Sequence, residues 1–262
     1  MDCPTGYWPV QNMTGCMKLQ LQVMEWGSPF AIIPAVLSLL GLLATVFTIL
    51  VFIHYRETPV VKAAGRELSF LLLAGCVVCY ASAIVLLAKP ALVTCVMQRL
   101  TVGCGFAIIY SALLTKTNRI YRIFNSARKT TRRPVYISPK SQLVIASLLA
   151  AVQLGVFIVW ILLEKPGTRT SVPDPNNRAY VVLKCTAKES SILMSLSYNM
   201  LLIIACTIYA IMTRNIPSSF NESKLIGFTM YTTCIVWLSF VPIFFGLQTS
   251  FQVSERFFSF EA

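Results

Sequence analysis

Apolar and polar positions in this chain are grouped in long blocks, not in the two-residue rhythm of exposed strands. Six blocks contain no Asp, Glu, Lys or Arg: residues 26–55, 68–88, 100–115, 141–163, 190–213 and 225–254. A helix rises about 1.5 Å per residue and needs about 20 apolar residues to cross the hydrocarbon core of a bilayer. All but the third block reach that length. The third helix is therefore expected to continue past Arg99 and Lys116, and charges inside a span mark it as a central helix enclosed by its neighbours. The predicted fold class is all-α, an integral membrane bundle of six transmembrane helices. The alternation that builds a membrane β-barrel is absent.

The connections near 55–66, 89–95, 121–140, 164–189 and 214–223 are mostly short, which makes successive helices antiparallel neighbours. The longest, 164–189, carries Pro166-Gly167, Pro173 and Pro175 and is expected to form turns rather than another helix. Residues 1–25 read as a polar tail with turn residues, 26–247 as the bundle, and 248–262 as a polar and aromatic end too short to span.

Composition agrees with a lipid-facing surface. The chain is 56% hydrophobic and only 12% charged, with a mean hydropathy of +0.70, whereas soluble domains carry about 25% charged residues. A net charge of +12 would suggest nucleic acid in a soluble protein. Here the cations edge the spans, so no nucleic-acid role is expected. With the N-terminus outside, thirteen Lys and Arg fall on the inner face and nine on the outer, and eight of the thirteen lie between Lys116 and Lys140. The positive-inside rule then places that loop in the cytoplasm. Anionic lipid of the inner leaflet is a natural partner for it.

Cys95 at the start of span 3 and Cys185 just before span 5 both fall on the outer, oxidising side. A bond between them would tie the long outer loop to the central helix and contribute roughly 2–4 kcal/mol. Cys3 and Cys16 sit together in the tail like the remnant of a disulfide-rich module, and Asn12-Met-Thr14 is a glycosylation sequon on the same side. Cys76 and Cys79 form a CxxC inside an apolar span with no histidine near it, which favours structural thiols over metal or redox chemistry. His54 is the only histidine and no nucleophile–base constellation is visible, so neither catalysis nor a cofactor is expected. Met1 is followed at once by Asp2-Cys3-Pro4, so either the first span acts as its own insertion signal or the sequence is a piece of a longer secretory chain.

Long ungapped segments then carry a resemblance. They are Tyr55-Arg-Glu-Thr-Pro-Val-Val-Lys62 with Gly65-Arg-Glu-Leu68, Tyr110-Ser-Ala-Leu-Leu-Thr-Lys-Thr-Asn-Arg-Ile120, Asn221-Glu-Ser-Lys224, and Gly227-Phe-Thr-Met-Tyr-Thr-Thr-Cys-Ile-Val-Trp-Leu-Ser-Phe-Val-Pro-Ile-Phe244. From about residue 3 to Gly246 the chain resembles the transmembrane portion of class C G-protein-coupled receptors, specifically the metabotropic glutamate group. It departs from that pattern at Ala63-Ala64-Gly65, where the family is Ser-rich. The likeness fades after Gly246, before the family's seventh span, and the family's glutamate-binding module has no counterpart upstream.

The resemblance implies a heptahelical fold, a multi-pass plasma-membrane location, a heterotrimeric G protein as partner, and pairing with a second receptor as homodimer or heterodimer. L-glutamate or a related amino acid would act only through the missing outer module. It also implies that Lys116, with Arg119 beside it, pairs with Glu222 as an ionic lock, where the residues alone suggest a snorkelling lysine and a solvated glutamate. It places an allosteric small-molecule pocket at Phe106, Tyr110, Asn199, Trp237, Phe240 and Phe244. Pro242 removes a backbone hydrogen bond and is the expected hinge of span 6. A transporter or channel is the competing class, but the blocks hold no acidic residue and the chain shows no internal repeat. A truncated isoform that does not signal and dampens an intact receptor is a further alternative.

Overall fold

The computed structural model describes residues 7–9, 15–18, 20–22, 28–129, 137–171, 180–186, 188–213, 225–240 and 242. In chain order, β1 (Tyr7–Pro9), β2 (Cys16–Lys18) and β3 (Gln20–Gln22) precede α1 (Pro29–His54), α2 (Pro59–Ala63), α3 (Arg66–Leu87), α4 (Leu92–Lys129) and α5 (Pro139–Leu163). Then come β4 (Thr168–Ser171), β5 (Tyr180–Cys185) and α6 (Glu189–Thr213). A last apolar helix, α7, covers Leu225–Phe240. Helices α1, α3, α4, α5 and α6 are each long and apolar enough to cross a membrane, and α7 is shorter in its described part. The protein is a helical membrane bundle, and the six apolar blocks correspond to α1 and α3–α7.

Local sequence sets the helix starts. Ser28-Pro29, Thr58-Pro59 and Ser138-Pro139 open α1, α2 and α5 with the cap residue extended and proline in the first turn. There proline's missing N–H costs nothing and its fixed φ suits the helix. Within the spans, hydroxyls return their hydrogen bonds to the preceding turn, Ser38 to Pro34 O at 2.7 Å and Thr45 to Gly41 O at 2.8 Å. No buried hydroxyl of these two is left to seek water in a lipid interior.

Helix α4 is the central element, as its internal charges predict: it runs 38 residues through Arg99 and Lys116 and packs against α3, α5 and α6. The apolar core lies where α4, α6 and α7 meet, around Tyr110, Leu113, Ile203, Cys206, Met230 and Trp237. By contrast α1 packs on α3 and presents Ile33, Leu37, Leu40 and Phe47 outward, Phe47 at 68% exposure. Such a face is stable only against lipid.

The connection between α5 and α6 carries more regular structure than its sequence suggests. Its described residues hold no helix and include two strands: β4 pairs antiparallel with β5, and β3 from the polar tail adds parallel to β5's other edge, while Pro173 and Pro175, where turns are expected, lie outside the described residues. The tail also pairs β1 with β2. These strands are three to six residues long, too short for alternation to stand out in sequence. Pairing satisfies backbone groups that a loose tail would leave to water. Cys185 at the end of β5 is bonded to Cys95 on α4, Cα to Cα 5.6 Å.

Candidate functional site

Three of the expected pocket residues converge at mid-bundle. Phe106 and Tyr110, one turn apart on α4, stack with ring centroids 6.2 Å apart. Phe106 meets Trp237 of α7 edge-on at 5.7 Å, and the Trp237 indole N–H donates to the Tyr110 hydroxyl at 3.4 Å. Tyr110 and Trp237 are buried, at 6% and 7% exposure. Phe240 touches Trp237 edge-on at 5.7 Å but is 44% exposed, so it borders the cluster.

Asn199 lies on α6 one turn before Ile203 of the same core and is 1% exposed. Phe244 lies outside the described residues, as do Glu222 and Asn12. Pro242 is described and exposed just beyond Phe240, while Val241 between them is not described.

Farther along α4, Lys116 donates to Ser69 Oγ of α3 at 3.4 Å. Arg119 sits against Gly65, whose φ of +78° is the left-handed cap that opens α3. A Cβ there would stand 3.3 Å from an Arg119 terminal nitrogen, so glycine serves both the turn and the close approach. The exposed loop before α3 carries Glu57, held by Lys62 at 2.8 Å and flanked by Arg56 and Arg66. The Lys62 hydrogen bond and charge, with help from the two arginines, hold the Glu57 carboxyl below its ordinary range.

Two polar clusters were not singled out by sequence. Near the disulfide, the Arg99 guanidinium lies 4.5 Å over the Trp160 ring. Trp160 N–H donates to Glu164 at 2.8 Å, Ser191 hydroxyl donates to the same carboxylate, and so does the Lys188 backbone N–H at 3.4 Å. Partial burial pushes the Glu164 carboxyl up, but these hydrogen bonds outweigh it and hold it below its usual range. Deeper, Gln153 of α5 donates to Ser195 Oγ of α6 at 2.7 Å. The available signal was spacing: Gln142, Ala146, Gln153 and Trp160 recur at four- and seven-residue steps, and all four are buried. Polar residues inside an apolar span mark its inward face.

A cavity of about 520 Å³ lies elsewhere, between α3, α4 and α5, lined by Leu71, Val78, Cys104, Ile108, Ala151 and Leu154 among others. Cys76, Cys79 and Cys104 are free thiols of intermediate exposure, and among the described residues no group of three or more His, Cys, Asp or Glu is placed to hold a metal.

Comparison with known proteins supplies the lineage of this arrangement. Residues 24–260 match the family described as the seven-transmembrane sweet-taste receptor of class 3 G-protein-coupled receptors, so the match runs beyond Gly246 where the motif likeness fades. The chain is 52% identical over 252 residues to the Metabotropic glutamate receptor of Drosophila melanogaster, covering 96% of this chain and 26% of that one. It is 46% identical to Metabotropic glutamate receptor 4 of Macaca fascicularis and 47% identical to Metabotropic glutamate receptor 8 of Mus musculus, each over 95% of this chain and 28% of the relative. The chain thus spans about a quarter of the length of the curated relatives it matches. With a bundle centred on α4 and a match running through nearly all of it, the chain belongs to the class C G-protein-coupled receptors.

Proposed function

We propose that this chain is the transmembrane signalling portion of a plasma-membrane receptor, outer N-terminus first, that relays amino-acid binding by an outer module to a heterotrimeric G protein. Residues 1–25 serve as the linker from that module, 26–247 as the switching bundle, and 248–262 as the segment beyond it. The observation that carries this reading is a continuous mechanical path. The linker strand β3 is hydrogen-bonded along β5, β5 ends at Cys185, and Cys185 is covalently attached to Cys95 on the central helix. A displacement of the linker therefore reaches α4 through a strand pair and one covalent bond, without passing through α1.

At the inner end of α4, Lys116 and Arg119 with Glu222 act as the lock that the active packing releases, and the basic loop from Tyr121 to Lys140 meets the G protein and anionic lipid. The Phe106–Tyr110–Trp237 cluster, bordered by Phe240, Phe244 and Asn199, is the seat of an allosteric ligand, with Pro242 as the hinge of α7. Such a ligand acts only through unequal affinity for the two packings. Receptor pairing follows from the family.

The test uses the full receptor chain that contains this segment, expressed in cells. L-glutamate and related amino acids are applied, and G-protein activation is read by energy transfer between its subunits. Leu21→Pro with Gln22→Pro, which removes β3's ladder donors, is expected to lower the maximal response with unchanged amino-acid affinity. An undiminished maximum would refute the path, and silence of the unaltered receptor toward every amino acid would refute the receptor assignment.

A further inference from the structure

The cavity of about 520 Å³ between α3, α4 and α5 is a slot running along the bundle. Glycine presses its floor and one wall together. A Cβ on Gly75 of α3 would stand 2.8 Å from Ile109 Cγ1 of α4, and one on Gly105 of α4 would stand 2.8 Å from Cys79 Sγ of α3. The other wall is set back, because α5 meets the slot with Ser147, Ala150 and Ala151, whose short side chains leave its volume unfilled. Ser147 and Ala151 are exposed and Leu154 is 44% exposed, so the slot opens to the lipid. The Thr101 hydroxyl on its floor donates to Met97 O at 2.8 Å and asks for no other partner. Helices α3 and α5 pack on α4 and also touch each other, which leaves the opening narrower than a helix of about 10–12 Å. One hydrocarbon chain, at carbon contact distances of about 4 Å, does fit. No described residue of α6 or α7 lines the slot, so it is separate from the aromatic cluster.

Where α3 and α5 begin, the slot runs out between two cations. Ile108 and Arg119 are 11 residues apart on α4, about three turns, and so are Ala151 and Lys140 on α5. Each cation therefore shares the face of its helix that lines the slot. Lys140 is exposed. Arg119 lies against Gly65, and its Nε is buried with no hydrogen-bond partner among the described residues. The Glu67 carboxylate of α3 is already bonded by Arg66 at 3.1 Å. Lys116 points elsewhere, to Ser69 Oγ at 3.4 Å, so an anion at Arg119 does not take it from the lock. Measured along α3 from Gly65, the slot begins at Leu71, about 9 Å away, and ends at Val78, about 20 Å away. The chains of one leaflet reach about 15 Å, half of a hydrocarbon core of roughly 30 Å. We propose that the slot holds one acyl chain of an anionic phospholipid whose headgroup is bound by Arg119 and Lys140. Charge selects the headgroup: an anionic head gains about fivefold in occupancy from each cation, whereas a zwitterionic head brings no net charge to them.

The experiment uses the whole chain in phosphatidylcholine nanodiscs with a trace of phosphatidylserine that carries a diazirine near one acyl terminus. After illumination, crosslinked peptides are identified by mass spectrometry. Labelling of residues 100–108 and 147–154 is expected to exceed that of the lipid-facing stretch 33–47 of α1 by at least about fivefold. The same diazirine carried by phosphatidylcholine is expected to lose that excess. Lys140→Gln and Arg119→Gln are each expected to lower slot labelling by phosphatidylserine about fivefold while α1 labelling holds. Ala151→Phe, which fills the slot, is expected to remove the excess with helical circular dichroism unchanged. Equal labelling of the slot and α1, or an excess that survives Ala151→Phe, overturns the chain site. An excess identical for both lipids, or one untouched by both Lys140→Gln and Arg119→Gln, overturns the headgroup assignment. A photoreactive sterol that labels the slot and is not displaced by phosphatidylserine gives it to another occupant and overturns the proposal. Should Ala151→Phe fail to fold, Ser147→Leu takes its place, and the two lipids compared on the unaltered chain decide.

Discussion

Breaking the Cys95–Cys185 bond tests how the β3–β5–β4 sheet is held to the bundle. The bonded residues are 90 apart in sequence, and closing a loop of that length contributes about 4.6 kcal/mol by chain entropy alone. That figure overstates the effect here, because α4 and α5 stay helical in a bilayer even when the bundle loosens. What is freed in practice is the connection from the end of α5 to Cys185, about 20 residues, which gives about 3 kcal/mol. Cys95→Ala with Cys185→Ala should therefore leave the helical circular dichroism of the protein in nanodiscs unchanged. Amide exchange along β5 and β3 should accelerate by roughly two orders of magnitude, since 1.4 kcal/mol is a factor of ten. Exchange at Val181 and Leu21 within twofold of the intact protein would refute the reasoning, because the sheet would then be held by its own pairing and the bond would transmit nothing.

Other predictions follow from single contacts. Gly65→Ala forces a Cβ into a left-handed backbone against Arg119 and should destabilise by about 1–2 kcal/mol, lowering the thermal midpoint. Gly155→Ala, where a Cβ meets nothing within 4 Å on helix α5, should raise that midpoint through about 0.5–1 kcal/mol of helix propensity. Tyr110→Phe leaves the buried Trp237 N–H without its 3.4 Å acceptor and should cost about 1 kcal/mol in a denaturation series. The Glu164 carboxyl is depressed by its hydrogen bonds, so its contribution is present above the ordinary carboxylate range and is lost as pH falls through the lower folded value. Trp160 emission, isolated by difference against Trp160→Phe, should change across that acid window; a flat titration would contradict the contact.

The bundle was legible because lipid simplifies the code. A span must be apolar and must satisfy its own backbone, so block lengths located the six helices, and Arg99 with Lys116 identified α4 as central. Motif likeness brought Phe106, Tyr110 and Trp237 to one place. Phe240 borders that place, meeting Trp237 edge-on while 44% exposed. The β3–β5–β4 sheet was hidden because three- to six-residue strands leave no period to read, and β3 meets β5 across some 160 residues of chain. Gln153 was visible in principle, as one of two amides, with Gln142, in an apolar run. Its partner Ser195 and its glycine neighbour Gly103 emerge only when three helices are brought together.

The length of α4 has a mechanical corollary. From Leu92 to Lys129 its 38 residues make a rod about 57 Å long, nearly twice the roughly 30 Å of hydrocarbon it crosses. Lys116 sits about 36 Å from the Leu92 end, near the far boundary of the oil, and the remaining turns stand clear of the lipid headgroups like a mast. A small tilt imposed at the disulfide end therefore sweeps the Lys129 tip through a larger arc than any shorter helix of the bundle achieves.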